Sequence, residues 1–295
     1  MRSEKMNLSY LQAVLAELLF RLSTAQLPLI VGGGFGIYLR RRAIEQSHER
    51  TLLNVLPEAR STHDIDLFLR PELFVDSVRL VALKEALQEM GFKPVETAKF
   101  YQFVRSDESG RFPVKIDLLT ASERNFKPLN IKTDGRRVHP NPPIALHAHP
   151  CNEAFTLTQA ISSVRIEVEL EGKTVGGEVF LPHPYTYLCM KLVALADQIE
   201  NGPKDCGRHH ALDIYSITGT ILPSEWEQCL EFKKRYASDE IVKQCSGIVA
   251  SLFSSKEAKG VLRLRENYYF RNDFQLVEFI AALNELFSAT GLAKS

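Results

Sequence analysis

The chain has 295 residues, 45% of them hydrophobic, and its 36 Lys and Arg are balanced by 36 Asp and Glu. That length and composition suit a globular protein of one large or two ordinary domains. The zero balance excludes a global field steering the whole surface toward nucleic acid or anionic membrane. Cys151, Cys189, Cys206, Cys229 and Cys245 are odd in number and form no Cys-x-x-Cys pair, which fits a reducing cytoplasm better than a disulfide framework.

In chain order, LSYLQAVLAELLFRL places Leu8, Leu11, Leu15, Leu18 and Leu22 at helical spacing and carries Glu17 and Arg21. It reads as an amphipathic helix, not as a signal peptide or membrane span. LPLIV at 27–31 predicts a short buried strand, GGGFG a turn and IYLRRRAIEQ a helix. RSTHDIDLFLR at 60–70 predicts the next strand, and Pro71 opens a helix through Leu73, Val81, Leu83 and Leu87 that Gly91 closes. AKFYQFVR and FPVKIDLLT predict strands joined by a turn at SDESG. Residues 121–150, rich in Pro and basic residues without periodicity, predict a long loop, and ISSVRIEVELEG with TVGGEVFLP a hairpin. From Pro184 onward every segment has helical periodicity. The expected fold class is α/β (α+β), with a mixed-sheet domain over 1–182 and an all-helical domain over 183–295.

The chemistry concentrates on a few positions. Asp64 and Asp66 are two residues apart in a strand, so they share a face at roughly 6.6 Å along it and repel each other unless a cation answers them. Asp117 sits mid-strand among apolar residues, where a charged side chain needs a partner. Three strand carboxylates make an oxygen-rich site for Mg²⁺, and two such ions can clamp the oxygens of a phosphoryl or nucleotidyl transfer; edge-strand acids facing solvent are the alternative. Gly32, Gly33 and Gly34 let the backbone approach a ligand at a helix N-terminus suited to phosphate, or simply make a tight turn. They match neither a dinucleotide fingerprint nor a P-loop. Lys191 falls on or beside the apolar stripe of its helix, so its ammonium either snorkels to solvent or meets an anion such as a nucleotide phosphate. Arg124, Lys127, Lys132, Arg136 and Arg137, with Arg40–Arg42, form either a local phosphate-tracking patch or solvated loop charges. HAHPC holds His147, His149 and Cys151 without the spacing of a structural zinc site.

The motifs R-x-T-x-D-I-D-L, Gly-Gly before a helix, a later strand acid, K-L-x-A-L, K-D and L-D-I together resemble the AbiEii/AbiGii toxin-type nucleotidyltransferases of the polymerase-β-like superfamily, over about residues 28–217. The resemblance implies a nucleotidyltransferase domain at 1–182 in which Asp64, Asp66 and Asp117 hold Mg²⁺, two ions in all. It implies that Lys191 is needed for catalysis and that Gly32, Gly33, Gly34, Arg60, Thr62, Lys204, and Asp205 or Asp213 serve the nucleotide. The implied reaction moves an NMP from NTP to an acceptor. The implied role is the toxin of a toxin–antitoxin or phage-defence pair, with a tRNA end as acceptor, a cognate antitoxin as partner and no membrane. A small-molecule, antibiotic-type nucleotidyltransferase and a catalytically silent nucleotide-binding module are the alternative readings.

Overall fold

The computed structural model describes residues 2–60, 62–106, 113–170, 172–201 and 205–288. Lys204 and the turn expected at 107–110 lie outside the described residues. The chain divides into two compact units, one of Met1–Arg40 with Arg60–Pro182, the other of Arg41–Ala59 with His183–Ser295.

In chain order the α/β part runs α1 (Arg2–Arg21), β1 (Ile30–Val31), α2 (Gly33–Ser47), β2 (Asp64–Leu69), α3 (Ser77–Glu89), β3 (Lys93–Pro94), β4 (Gln102–Arg105), β5 (Val114–Thr120), β6 (His149–Pro150), β7 (Ile161–Leu170) and β8 (Lys173–Pro182). Among the described residues these eight strands make one mixed sheet in the order β3-β4-β5-β2-β1-β8-β7, with β6 beside β5. The two central strands, β2 and β5, run parallel and pair Asp64 with Lys115, Ile65 with Ile116 and Asp66 with Asp117. Their registers follow from period-two burial. Val114, Ile116 and Leu118 are fully buried from β5, and Ile65, Leu67 and Leu69 from β2. Each such side chain favours this register by roughly 1.5–3 kcal/mol, and a one-residue slip would exchange the apolar face for the charged one. α1 packs on β7 and β8, burying Leu11, Val14, Leu15 and Leu18.

Several local expectations change. The helix expected from Pro71 is a 3-10 turn at Pro71–Val75 followed by α3, because the Asp76 side chain accepts the Arg79 N–H at 3.1 Å and starts a new helix. The strand expected over AKFYQFVR shrinks to β4 behind a 3-10 turn at Glu96–Ala98. LPLIV contributes only β1, and GGGFG is the opening of α2, not a separate turn. Residues 121–150 are not a plain loop. They contain a 3-10 segment at Glu123–Leu129, β6 and bridges linking Val138 to Thr133 and Ala148, and Phe126 meets Phe74 edge-on at 5.3 Å. Non-local burial of Phe126, Val138 and Leu146 organises a stretch with no periodic signal of its own.

The helical unit contains α4 (Pro184–Asn201), α5 (Arg208–Gly219), α6 (Pro223–Arg235), α7 (Glu240–Leu252), α8 (Lys259–Arg265) and α9 (Leu276–Phe287). α5 is buried along most of its length, with Tyr215 stacked on Phe274 at 4.4 Å. Residues 41–59 are tied into this unit. Leu52 and Leu53 donate N–H bonds to the Ile221 and Gly219 carbonyls at 3.0 and 3.2 Å, and Tyr215 Oη donates to the Val55 carbonyl at 3.0 Å. No helix among the described residues is long and apolar enough to cross a membrane.

Candidate active site

The repulsion between Asp64 and Asp66 is answered inside the chain. Lys115 is the register partner of Asp64 on β5, and its Nζ lies 2.9 Å from Asp117 Oδ2 and 4.0 Å from Asp64 Oδ1. Burial opposes the ammonium, but the hydrogen bond to Asp117 and the fields of Asp117, Asp64 and Asp66 outweigh it, so the Lys115 pKa is raised. Burial likewise pushes the Asp117 pKa up, against the pull of Lys115 and the Gln102 side chain. The same alternation that singled out Asp117 puts Lys115 on its face two residues earlier; reading only the acids missed it.

The glycines meet this cluster directly. Gly33 opens α2 at φ +60°, and a Cβ there would stand 1.7 Å from Asp66 Oδ2. Gly32 donates its N–H to the Asp66 carbonyl at 2.8 Å, and a Cβ on Gly34 would lie 2.6 Å from Arg60 Nη2. Three residues without side chains therefore bring the start of α2 against β2 and the Arg60 guanidinium. First-turn amides have no intrahelical acceptor, and the positive helix end beside a guanidinium favours an anion there. Thr62 Oγ1 accepts the Asp64 N–H at 3.4 Å, shaping the entry to β2.

Whether the acids suit a divalent cation turns on the oxygens they can offer. Among the described residues no three His, Cys, Asp or Glu are gathered in ligand geometry, and Lys115 Nζ holds the place between Asp117 and Asp64. Asp117 Oδ1, however, is buried without a hydrogen-bond partner, a costly condition that a cation relieves. Oxygen donors from Asp64, Asp66 and Asp117 suit Mg²⁺ once the flexible Lys115 stem swings aside. Lys115→Met should therefore lower the melting temperature without metal, at a cost of about 1 kcal/mol after solvent screening, and enlarge the rise on adding Mg²⁺. Melting in EDTA and in Mg²⁺ measures both; a variant whose Mg²⁺ response is no larger than the parent's counts against the cation site.

The remaining expected residues lie in the helical unit. Lys191 on α4 is 8% exposed and pairs with Asp213 on α5, Nζ to Oδ2 at 2.8 Å. The ammonium does not snorkel to solvent, because α5 brings a 2% exposed carboxylate to it. Asp205 instead serves the start of α5, accepting the His209 N–H at 2.9 Å and lying 3.5 Å from Arg208 Nε. The basic stretch at Arg40–Arg42 does not form one exposed patch. Arg40 is buried, and Arg41 pairs with Glu45 at 2.7 Å and donates to the Pro57 carbonyl.

No protein-family model matches the chain, and no curated protein matches it. Solved structures similar to it include the following two. The antibiotic-resistance factor ANT(2'')-Ia is 14% identical at a TM-score of 0.37, covering 78% of this chain and 95% of that one. An antigenic nucleotidyltransferase-like protein from Paracoccidioides brasiliensis is 15% identical at a TM-score of 0.37, covering 77% of this chain and 90% of that one. Likeness of that degree says nothing about activity, which rests on the residues themselves.

Proposed function

We propose that the chain is a Mg²⁺-dependent nucleotidyltransferase that moves an NMP from an NTP to an acceptor. The observation that carries this reading is the in-register pairing of Asp66 with Asp117 across β2 and β5, beside Asp64 and against the glycine-opened start of α2. Asp64, Asp66 and Asp117 would hold the metal, whose charge would polarise the phosphoryl oxygens when bound. The α2 amides and Arg60 receive phosphate oxygens, and Gly33 keeps the Asp66 carboxylate close to them. A tRNA end as acceptor, a toxin role and a cognate antitoxin rest on the resemblance of the Asp-x-Asp block and the motifs after it. A cytoplasmic location is proposed from the five cysteines, none of them in a disulfide.

Incubation with each α-labelled NTP, Mg²⁺ and total tRNA, protein extract or the enzyme alone should show which acceptor takes the label. Asp64→Asn and Asp66→Asn should each reduce transfer on the order of 10²-fold or more. Their metal-free melting temperatures should stay close to the parent's, because each change relieves repulsion while weakening the hold on Lys115. Full activity in either variant, or outright unfolding, would remove the metal role.

A further inference from the structure

Beside the end of β5 lie two cavities that the transfer reading does not use. One, of about 440 Å³, is lined by Lys99, Phe100, Tyr101, Arg136 and Arg137 together with Thr97, Glu96 and Asp134. The other, of about 300 Å³, is lined by Lys132, His139, His147 and Asn141 among others. A stack of rings contributes to both: Phe100 lies on His147 at 4.6 Å, and His147 against His139 at 4.5 Å. Each cavity is of the size that holds a small ligand, and each combines an aromatic or imidazole face with a cation.

We infer that these two cavities together bind two consecutive nucleotides of a single-stranded nucleic acid, one base against Tyr101 and the next against His139, with phosphates against Lys99, Arg136 and Lys132. Charge favours such an occupant. Lys99, Lys132 and Arg136 are exposed. Asp134 is already engaged by His139 at 2.9 Å, by Arg137 at 3.1 Å and by the Arg136 and Arg137 N–H groups, so Glu96 is the lining acid that stands against those cations. The Phe100 ring is covered by His147 at 4.6 Å and by Lys99 and Arg137 at 5.4 and 5.6 Å, so the half-buried Tyr101 and His139 rings are the ones that meet a base, while lysine and arginine track the backbone. His147 Nδ1 is buried without a hydrogen-bond partner, and burial, with the His139 and Arg137 charges, lowers the His147 pKa to about 4. The position suits an acceptor strand. Tyr101 precedes Gln102, the register partner of Asp117, and its carbonyl accepts the Leu118 N–H at 2.8 Å.

Fluorescence anisotropy of labelled 12-nucleotide RNA and DNA, without NTP, tests the site. Both sugars are compared, and a polyglutamate peptide serves as the acidic-polymer control. Lys99→Ala with Arg136→Ala should flatten the slope of log affinity against log salt by about 1.4, at roughly 0.7 per phosphate contact on a single strand. Tyr101→Ala should weaken binding about 10-fold with little change in slope. Melting temperatures should stay near the parent's for the two surface changes, which keeps the test valid if Tyr101→Ala proves unstable. Asp64→Asn should bind the oligonucleotide as the parent does. Binding that persists while no NTP gives transfer would sink the enzyme reading and leave this one standing. No binding at low salt, unchanged slopes in the double variant, or equal binding of polyglutamate would overturn it.

Discussion

Asp213→Leu and Lys191→Met should each destabilise the helical unit by about 3–5 kcal/mol, because each removes one charge of a buried pair and leaves the other inside the protein. The pair is buried, with side-chain exposures of 10% for Lys191 and 3% for Asp213, and its 2.8 Å contact joins α4 to α5. The double variant Lys191→Met with Asp213→Leu should recover most of the loss, since two apolar groups need no partner. Chemical denaturation followed by helical circular dichroism measures the four members of the cycle, whose coupling term isolates the pair. A double variant no more stable than the singles would refute the buried-pair account. Singles that fold normally yet lose NTP-dependent stabilisation would return Lys191 to a phosphate.

Gly33→Ala should abolish transfer nearly as fully as Asp66→Asn, although residue 33 carries no reacting group. Two costs coincide there. A left-handed backbone penalises any side chain by roughly 1–2 kcal/mol, and the new Cβ, 1.7 Å from Asp66 Oδ2, forces the carboxylate or the helix start to move. Gly91→Ala separates these effects: it has φ +78° with nothing within 4 Å of the added carbon. That variant should lose about 1 kcal/mol of stability and keep its transfer activity. Transfer assays beside melting curves decide the matter; a Gly33→Ala protein that transfers normally would mean that Asp66 is not held by the helix start.

What could be read from the chain alone is what repeats locally. Alternation in VKIDLLT and HDIDLFL announces strands with one apolar and one charged face, so the shared face of Asp64 and Asp66 and the isolation of Asp117 were legible. Leu8, Leu11, Leu15 and Leu18 announce α1 by spacing, as the tyrosines and leucines after Pro184 announce α4. The mixed sheet followed by helices was legible for the same reason, because element type is carried by period and short-range turn chemistry. Element ends at Val75 and Ala98 were not, since competing caps and packing settled them.

Tertiary structure alone decided which distant residues answer one another. Opposing Asp66 to Asp117 and Asp64 to Lys115 requires the parallel β2–β5 register, which pairs segments some fifty residues apart. Joining Lys191 to Asp213 requires the packing of α4 on α5, and the burial of Arg40 follows from packing that the basic run Arg40–Arg42 does not encode. The stretch 41–59 belongs with the helices because its N–H and carbonyl groups find partners at Gly219, Ile221 and Tyr215. A charge or a buried polar group states a need that is visible in one dimension. Its partner is chosen by whichever chain segment the packed core brings within hydrogen-bond distance, and that choice exists only after folding.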